Sequence, residues 1–112
     1  MQQNGYALRY AGVASKNDPE VVRLAVLQNG KALRHAGPVP SNDPKIVKIA
    51  VQQYGDVLEF ASDALRNDPE VVKIAVQQNG NALEHASEAL KSDPEIIRLA
   101  EEQKAKFRLK AV

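Results

Sequence analysis

The chain repeats itself every 25 residues, with Asn-Asp-Pro at Asn17-Asp18-Pro19, Asn42-Asp43-Pro44 and Asn67-Asp68-Pro69 and a near copy at Ser92-Asp93-Pro94. The text between the markers matches as well: NDPEVVRLAVLQNGKALRHA, NDPKIVKIAVQQYGDVLEFA and NDPEVVKIAVQQNGNALEHA. A fixed period of about 20–50 residues implies units that bury their apolar faces against their neighbours rather than in one closed core. The expected fold is therefore all-α, an alpha-solenoid of tandem 25-residue helix-turn-helix repeats. The expected array spans 1–112 as one body, with a partial unit at 1–16, units at 17–41, 42–66 and 67–91, and a capping helix at 92–112.

Apolar residues within a unit fall at helical spacing. In the third unit one set is Val71, Val72, Ile74, Ala75 and Val76, and a second is Ala82, Leu83, Ala86, Ala89 and Leu90. Both are stripes of a 3.6-residue period, not the alternation of strands. Asp68 precedes Pro69, and a residue before proline avoids helical backbone, so Asp68 is read as an N-cap with Pro69 at the first helical position. Asp18, Asp43 and Asp93 hold the same place. Gly80, like Gly30 and Gly55, follows the stripe and is read as a helix stop in left-handed backbone. Each unit then reads as helix A of about 11 residues, a corner at glycine, and helix B of about 10. Both are shorter than the ~12–15 residues at which an isolated helix is marginal in water, so packing between units must hold them.

The ends differ. Gln2-Gln3-Asn4-Gly5 reads as the tail of a helix A, which leaves an apolar face with Ala7, Leu8 and Ala11 open to weak self-association. At the other end Ala105 stands where glycine is expected, after Glu101-Glu102-Gln103-Lys104, so the last helix is expected to run on to about Leu109 with a polar surface. The chain reads as the C-terminal end of a longer array, or a piece cut from one.

Composition excludes several classes. Basic and acidic residues balance at 15 and 14, without the basic excess of a dedicated nucleic-acid or membrane binder. No cysteine is present, which removes disulfides and thiolate metal sites and fits a cytoplasmic location, with delivery into a host cell left open. No apolar run approaches a membrane span, and the first residues lack the basic and apolar regions of a signal peptide.

The string D-P-E-V-V-x-x-A-V-x-Q-N-G-x-A-L-x-x-A-S-x-x-L, from Asp68 to Leu90, resembles a family catalogued as domain of unknown function 4116. Members of that family are tandem arrays in bacterial and protist proteins. The resemblance implies a helical repeat and carries no activity, cofactor or catalytic residue. The chain departs from the pattern at Gly37–Pro40, where Ser-x-x-Leu is expected, and at Tyr54, where asparagine is expected.

Residues 25 apart should form columns whose members are about 8–10 Å apart, the spacing of packed helices. One column is basic: Arg23, Lys48, Lys73 and Arg98. It reads either as a row that follows phosphates or as a solvated face paired with Glu20, Glu70 and Glu95 three residues earlier. A second column is flat-ringed: Tyr10, His35, Phe60 and His85. It reads either as a ladder lining a groove or as a half-buried packing position. His35 and His85 are two units apart, far beyond the reach of a shared metal. A third column, Gln3, Gln28, Gln53, Gln78 and Gln103, is expected to satisfy backbone groups at the corners.

No cysteine nucleophile, His-x-x-x-His pair or glycine-rich phosphate loop is present, so no enzyme, cofactor or metal is expected. Local function is expected where the period fails. Gly37-Pro38-Val39-Pro40 is expected to end helix B early, and with Tyr54 and Phe60 it reads either as a shallow apolar patch or as neutral variation at tolerant surface positions. The cationic tail Lys104–Lys110 reads as a solvated helix end or a surface for acidic partners or lipid headgroups. The expected function is a non-enzymatic scaffold for protein–protein interaction, with another protein as partner. Nucleic-acid or phosphate binding along the basic column, and a plain spacer in a larger protein, are the alternatives.

Overall fold

Each long helix starts where aspartate meets proline. The computed structural model describes residues 16–111 and the side chains of residues 16–106. In chain order its helices are α1 (Pro19–Gln28), α2 (Pro38–Ser41), α3 (Pro44–Gln53), α4 (Asp63–Arg66), α5 (Pro69–Gln78), α6 (Glu88–Lys91) and α7 (Pro94–Ala111). Short 3₁₀ helices at Gly30–His35, Gly55–Phe60 and Gly80–His85 follow α1, α3 and α5. The protein is all-α, with no strand among the described residues. None of its described helices is long and apolar enough to cross a membrane.

The caps of the long helices are alike. The Asp18, Asp43 and Asp68 carboxylates accept from the backbone N–H of Glu20, Lys45 and Glu70 at 3.0, 2.9 and 2.9 Å. Asp93 accepts from Glu95 N–H at 2.9 Å. Each bond satisfies one of the orphan donors of a helix start, and proline at the first position removes another.

The glycines differ from the sequence reading. Gly30, Gly55 and Gly80 do not adopt left-handed backbone, because no glycine among the described residues has positive φ. Asn29, Tyr54 and Asn79 end the long helices in extended backbone, and the glycines open the 3₁₀ helices. Glycine is required there by close approach. A Cβ on Gly30 would sit 2.9 Å from the Ala50 carbonyl oxygen, and one on Gly80 would sit 2.5 Å from that of Ala100. On Gly55 it would collide with the carbonyl of Ala75. The stop glycine is thus a seat for the next long helix.

Helix B is also different. It is split into the 3₁₀ helix and a single α turn, broken at Ala61-Ser62 and Ala86-Ser87. Serine makes the break. Ser62 and Ser87 are extended, and their Oγ atoms accept from Leu65 and Leu90 N–H at 3.2 and 3.3 Å. The same hydroxyls donate to Asn42 and Asn67 Oδ1 at 2.6 Å. The Ser62 and Ser87 N–H groups donate to the Ser41 and Arg66 carbonyls.

Gly37–Pro40 is therefore not a truncation. Pro38–Ser41 forms the same one-turn helix, with Pro38 at its start, where a missing N–H costs nothing. Gly37 N–H donates to the Lys16 carbonyl at 2.8 Å, as Ser62 and Ser87 do one and two units on. With no hydroxyl present, Asn17 Oδ1 accepts directly from Val39 N–H at 3.0 Å.

The core runs between successive long helices. Val22, Val26, Ile46, Val47, Ala50, Val51, Val71, Val72, Ala75, Val76, Ile96 and Ala100 are all buried. Helix α3 packs between α1 and α5, and α5 between α3 and α7. The 3₁₀ segments add Ala32, Leu33, Val57, Leu58 and Ala82 beneath. Each buried valine or leucine is worth about 1.5–3 kcal/mol over an exposed one, which is what holds ten-residue helices in shape.

Candidate functional site

The corner between each long helix and the 3₁₀ helix after it is clamped from the next unit. Gly30, Gly55 and Gly80 N–H donate to the Oε1 of Gln53, Gln78 and Gln103 at 2.7, 2.5 and 2.6 Å. The Nε2 of Gln53 and Gln103 returns a bond to the carbonyls of Val26 and Gln78. Glycine and glutamine are two halves of one device: the bare Cα admits the next helix, and that helix's amide takes up the N–H. Gln103 persists beside Ala105 because its partner is Gly80, not the residue after it.

The next column sits on this corner. Asn29 and Asn79 cap the 3₁₀ helices, their Oδ1 atoms accepting from Lys31 and Asn81 N–H at 3.0 Å. Tyr54 holds the same place and makes no capping bond. Its ring is exposed, and the Lys31 ammonium lies 4.7 Å from the ring centroid. Lys104 is the fourth member, on α7.

All of these but Asn29 line a groove of about 600 Å³. Lys31 comes from the first described unit, Tyr54 and Asp56 from the next, Gln78, Asn79 and Asn81 from the third, and Gln103 and Lys104 from α7. A smaller hollow of about 260 Å³ adjoins it through Lys31 and Asp56 and reaches Arg34 and Phe60. There the Arg34 guanidinium stands 5.8 Å from the Phe60 centroid. Tyr54 and Phe60 each face a cation, and Gly37–Pro40 lines neither hollow.

The basic column lies apart from the groove and is neutralised. Lys48 and Lys73 reach forward to Glu70 and Glu95 of the next unit at 2.7 and 3.1 Å. This differs from pairing inside the same helix. Arg23 has Lys45 where the next unit's glutamate would stand, so it turns back to Glu20 at 2.6 Å. That bond, and the charge behind it, lowers the Glu20 pKa and raises that of Arg23. Arg98 pairs with Glu102 at 2.9 Å.

The ring column is half-buried and engaged. Phe60 packs on the core, and His85 Nε2 is 3.8 Å from the Glu84 carboxylate. His35 is likewise in contact with a partner. Tyr10 lies outside the described residues, as do Gln3, Ala7, Leu8 and Ala11. Among the described residues no three His, Asp or Glu side chains converge on a metal-sized site.

Of the ring and basic residues singled out in the sequence, Tyr54 and Lys104 of the cationic tail line the larger groove. Lys31, Asp56 and Asn81 carry the rest of its chemistry. A signal was present for these three: positions 31, 56 and 81 read Lys, Asp and Asn, a column that changes charge while the glycine before it stays constant.

The architecture is that of an all-α protein whose helices hand polar clamps from one segment to the next. A family model described as a domain of unknown function (DUF4116) matches residues 1–38, 43–91 and 68–107, and the chain belongs to that family. No curated protein and no solved structure matches the chain.

Proposed function

We propose that the chain is a segment of an α-solenoid of 25-residue units that serves as a non-enzymatic scaffold for protein–protein interaction. The repeat reading draws support from the clamps, which recur from unit to unit, and from family-model matches that start at 43 and 68, that is 68 − 43 = 25 residues apart. The observation that carries the binding role is the groove across the corners of successive units, which joins Lys31, Tyr54, Asn81 and Lys104 from different segments. Surfaces built from many units are how repeat proteins hold extended partners. The repeated character of the side chains also argues against catalysis, which needs one unique constellation.

Phosphate or nucleic-acid binding along Arg23, Lys48, Lys73 and Arg98 is the weaker reading, because every member is paired with a carboxylate. Two measurements separate the readings. Random-peptide display on the intact chain is expected to enrich a sequence pattern, while single-stranded RNA and DNA show no binding at low salt. Nucleic-acid affinity that collapses as salt rises would replace the scaffold with the phosphate reading. Silence in both assays would leave a spacer.

A further inference from the structure

We infer that the groove over Tyr54 is a docking site for an extended acidic peptide; this rests on the scaffold reading and names its ligand. Three observations lead there.

The first is what the groove has left to offer. Three of its amide oxygens are spent on the protein's own backbone: Gln78 and Gln103 Oε1 on Gly55 and Gly80, and Asn79 Oδ1 on Asn81. Several of its donors remain. Lys31 and Lys104 form no ion pair among the described residues, and the exposed amides of Gln78 and Asn81 face the groove. Asp56 is the single carboxylate in the lining. A donor-rich groove suits a ligand rich in acceptors, and an extended main chain presents a carbonyl at every residue.

The second is Tyr54. Asparagine at this place caps the following helix in the units before and after, and Tyr54 abandons that bond. In its place stands an exposed ring that holds the Lys31 ammonium by cation–π attraction. A stabilising contact given up for an exposed aromatic is the pattern of a binding residue.

The third is spacing. Lys104 packs against Gly80, two corners on from Lys31 beside Gly30, roughly 16–20 Å at packed-helix distances. An extended chain covers that in about six residues at ~3.3 Å each. Nucleic acid fits less well, because two cations so far apart, with Asp56 between them, cannot follow a phosphate at every nucleotide. The occupant is therefore a peptide with acidic side chains about five residues apart.

The test uses the whole chain and two displayed hexapeptide libraries, one with glutamate fixed at the first and last positions and one with lysine there. Binders are expected from the glutamate library only. Their affinity should fall about tenfold for Tyr54→Asn, and by a similar factor for Lys31→Gln with Lys104→Gln. Tyr54→Asn restores the cap of the neighbouring units, so it should melt no lower than the parent and its loss of binding cannot be unfolding. Binders indifferent to Tyr54→Asn and to the lysine changes would overturn the groove and leave the scaffold standing. Equal recovery from both libraries would overturn the acidic preference. No binders at all, or tighter binding of an eight-nucleotide single strand, would overturn groove and scaffold together.

Discussion

At the residue scale, one side chain or its absence decides each corner. The sequence pattern identified glycine as necessary at residues 30, 55 and 80 but pointed to backbone handedness as the reason. The structure puts the reason in the following unit, whose helix carbonyl occupies the space of the Cβ. A contact made across the repeat is invisible within one unit's text. Gly55→Ala should therefore cost about 1–3 kcal/mol in urea unfolding, because the obstructing Ala75 carbonyl is backbone and cannot swing aside. Ser87→Ala, which loses the cap on Leu90 and the bond to Asn67, should cost about 1–2 kcal/mol by the same measurement. The Glu20–Arg23 pair makes a pH prediction. The Glu20 pKa is held below its ordinary 4.5 in the folded chain, chiefly by the hydrogen bond from Arg23. Its contribution is thus present above the unfolded value and is lost as pH falls through the folded one. Carbon-detected NMR titration should show Glu20 titrating low, and Arg23→Gln should return it to the ordinary value.

At the scale of elements, the long helices were legible and the second helix of each unit was not. Asp-Pro at the start and a valine-rich stripe mark α1, α3 and α5 without ambiguity, since both are local signals. The segment after the glycine carries an equally helical stripe, Ala82, Leu83, Ala86, Ala89 and Leu90, yet it breaks at Ser87. The break follows from a partner one unit back: Asn67 and the Arg66 carbonyl hold the serine in extended backbone. The same logic explains why Pro38 and Pro40 cause no disruption, since the chain turns there in every unit. An element so dependent on its neighbour has little structure alone. A synthetic peptide spanning 67–91 should show mostly coil by circular dichroism, without a cooperative melt. A helical peptide with a sharp transition would contradict the account of the units as mutually supporting.

At the scale of the whole molecule, the period makes departures readable as surface. Ile46, Val71 and Ile96 are buried, but their counterpart Val21 on α1 is 39% exposed. Leu24 and Leu27 extend the same side of that helix at 45% and 48% exposure. Leu27 is the sharper anomaly, because the later units carry Gln52, Gln77 and Glu102 at its place. Buried positions explain an apolar residue by packing; an exposed leucine where the pattern asks for glutamine has no such account within the described residues. A stripe of three large apolar side chains one turn apart presents a face that a second copy of the chain can cover, and apolar area removed from water at about 25 cal/mol per Å² drives such contact. Sedimentation velocity should therefore show a weak, concentration-dependent shift toward dimer in the parent chain. Leu27→Gln, which writes the sequence of the later units into α1, should reduce the shift at unchanged melting temperature. A shift that survives Leu27→Gln would move the contact to another face, and a strict monomer at millimolar concentration would remove self-association from the behaviour of this chain.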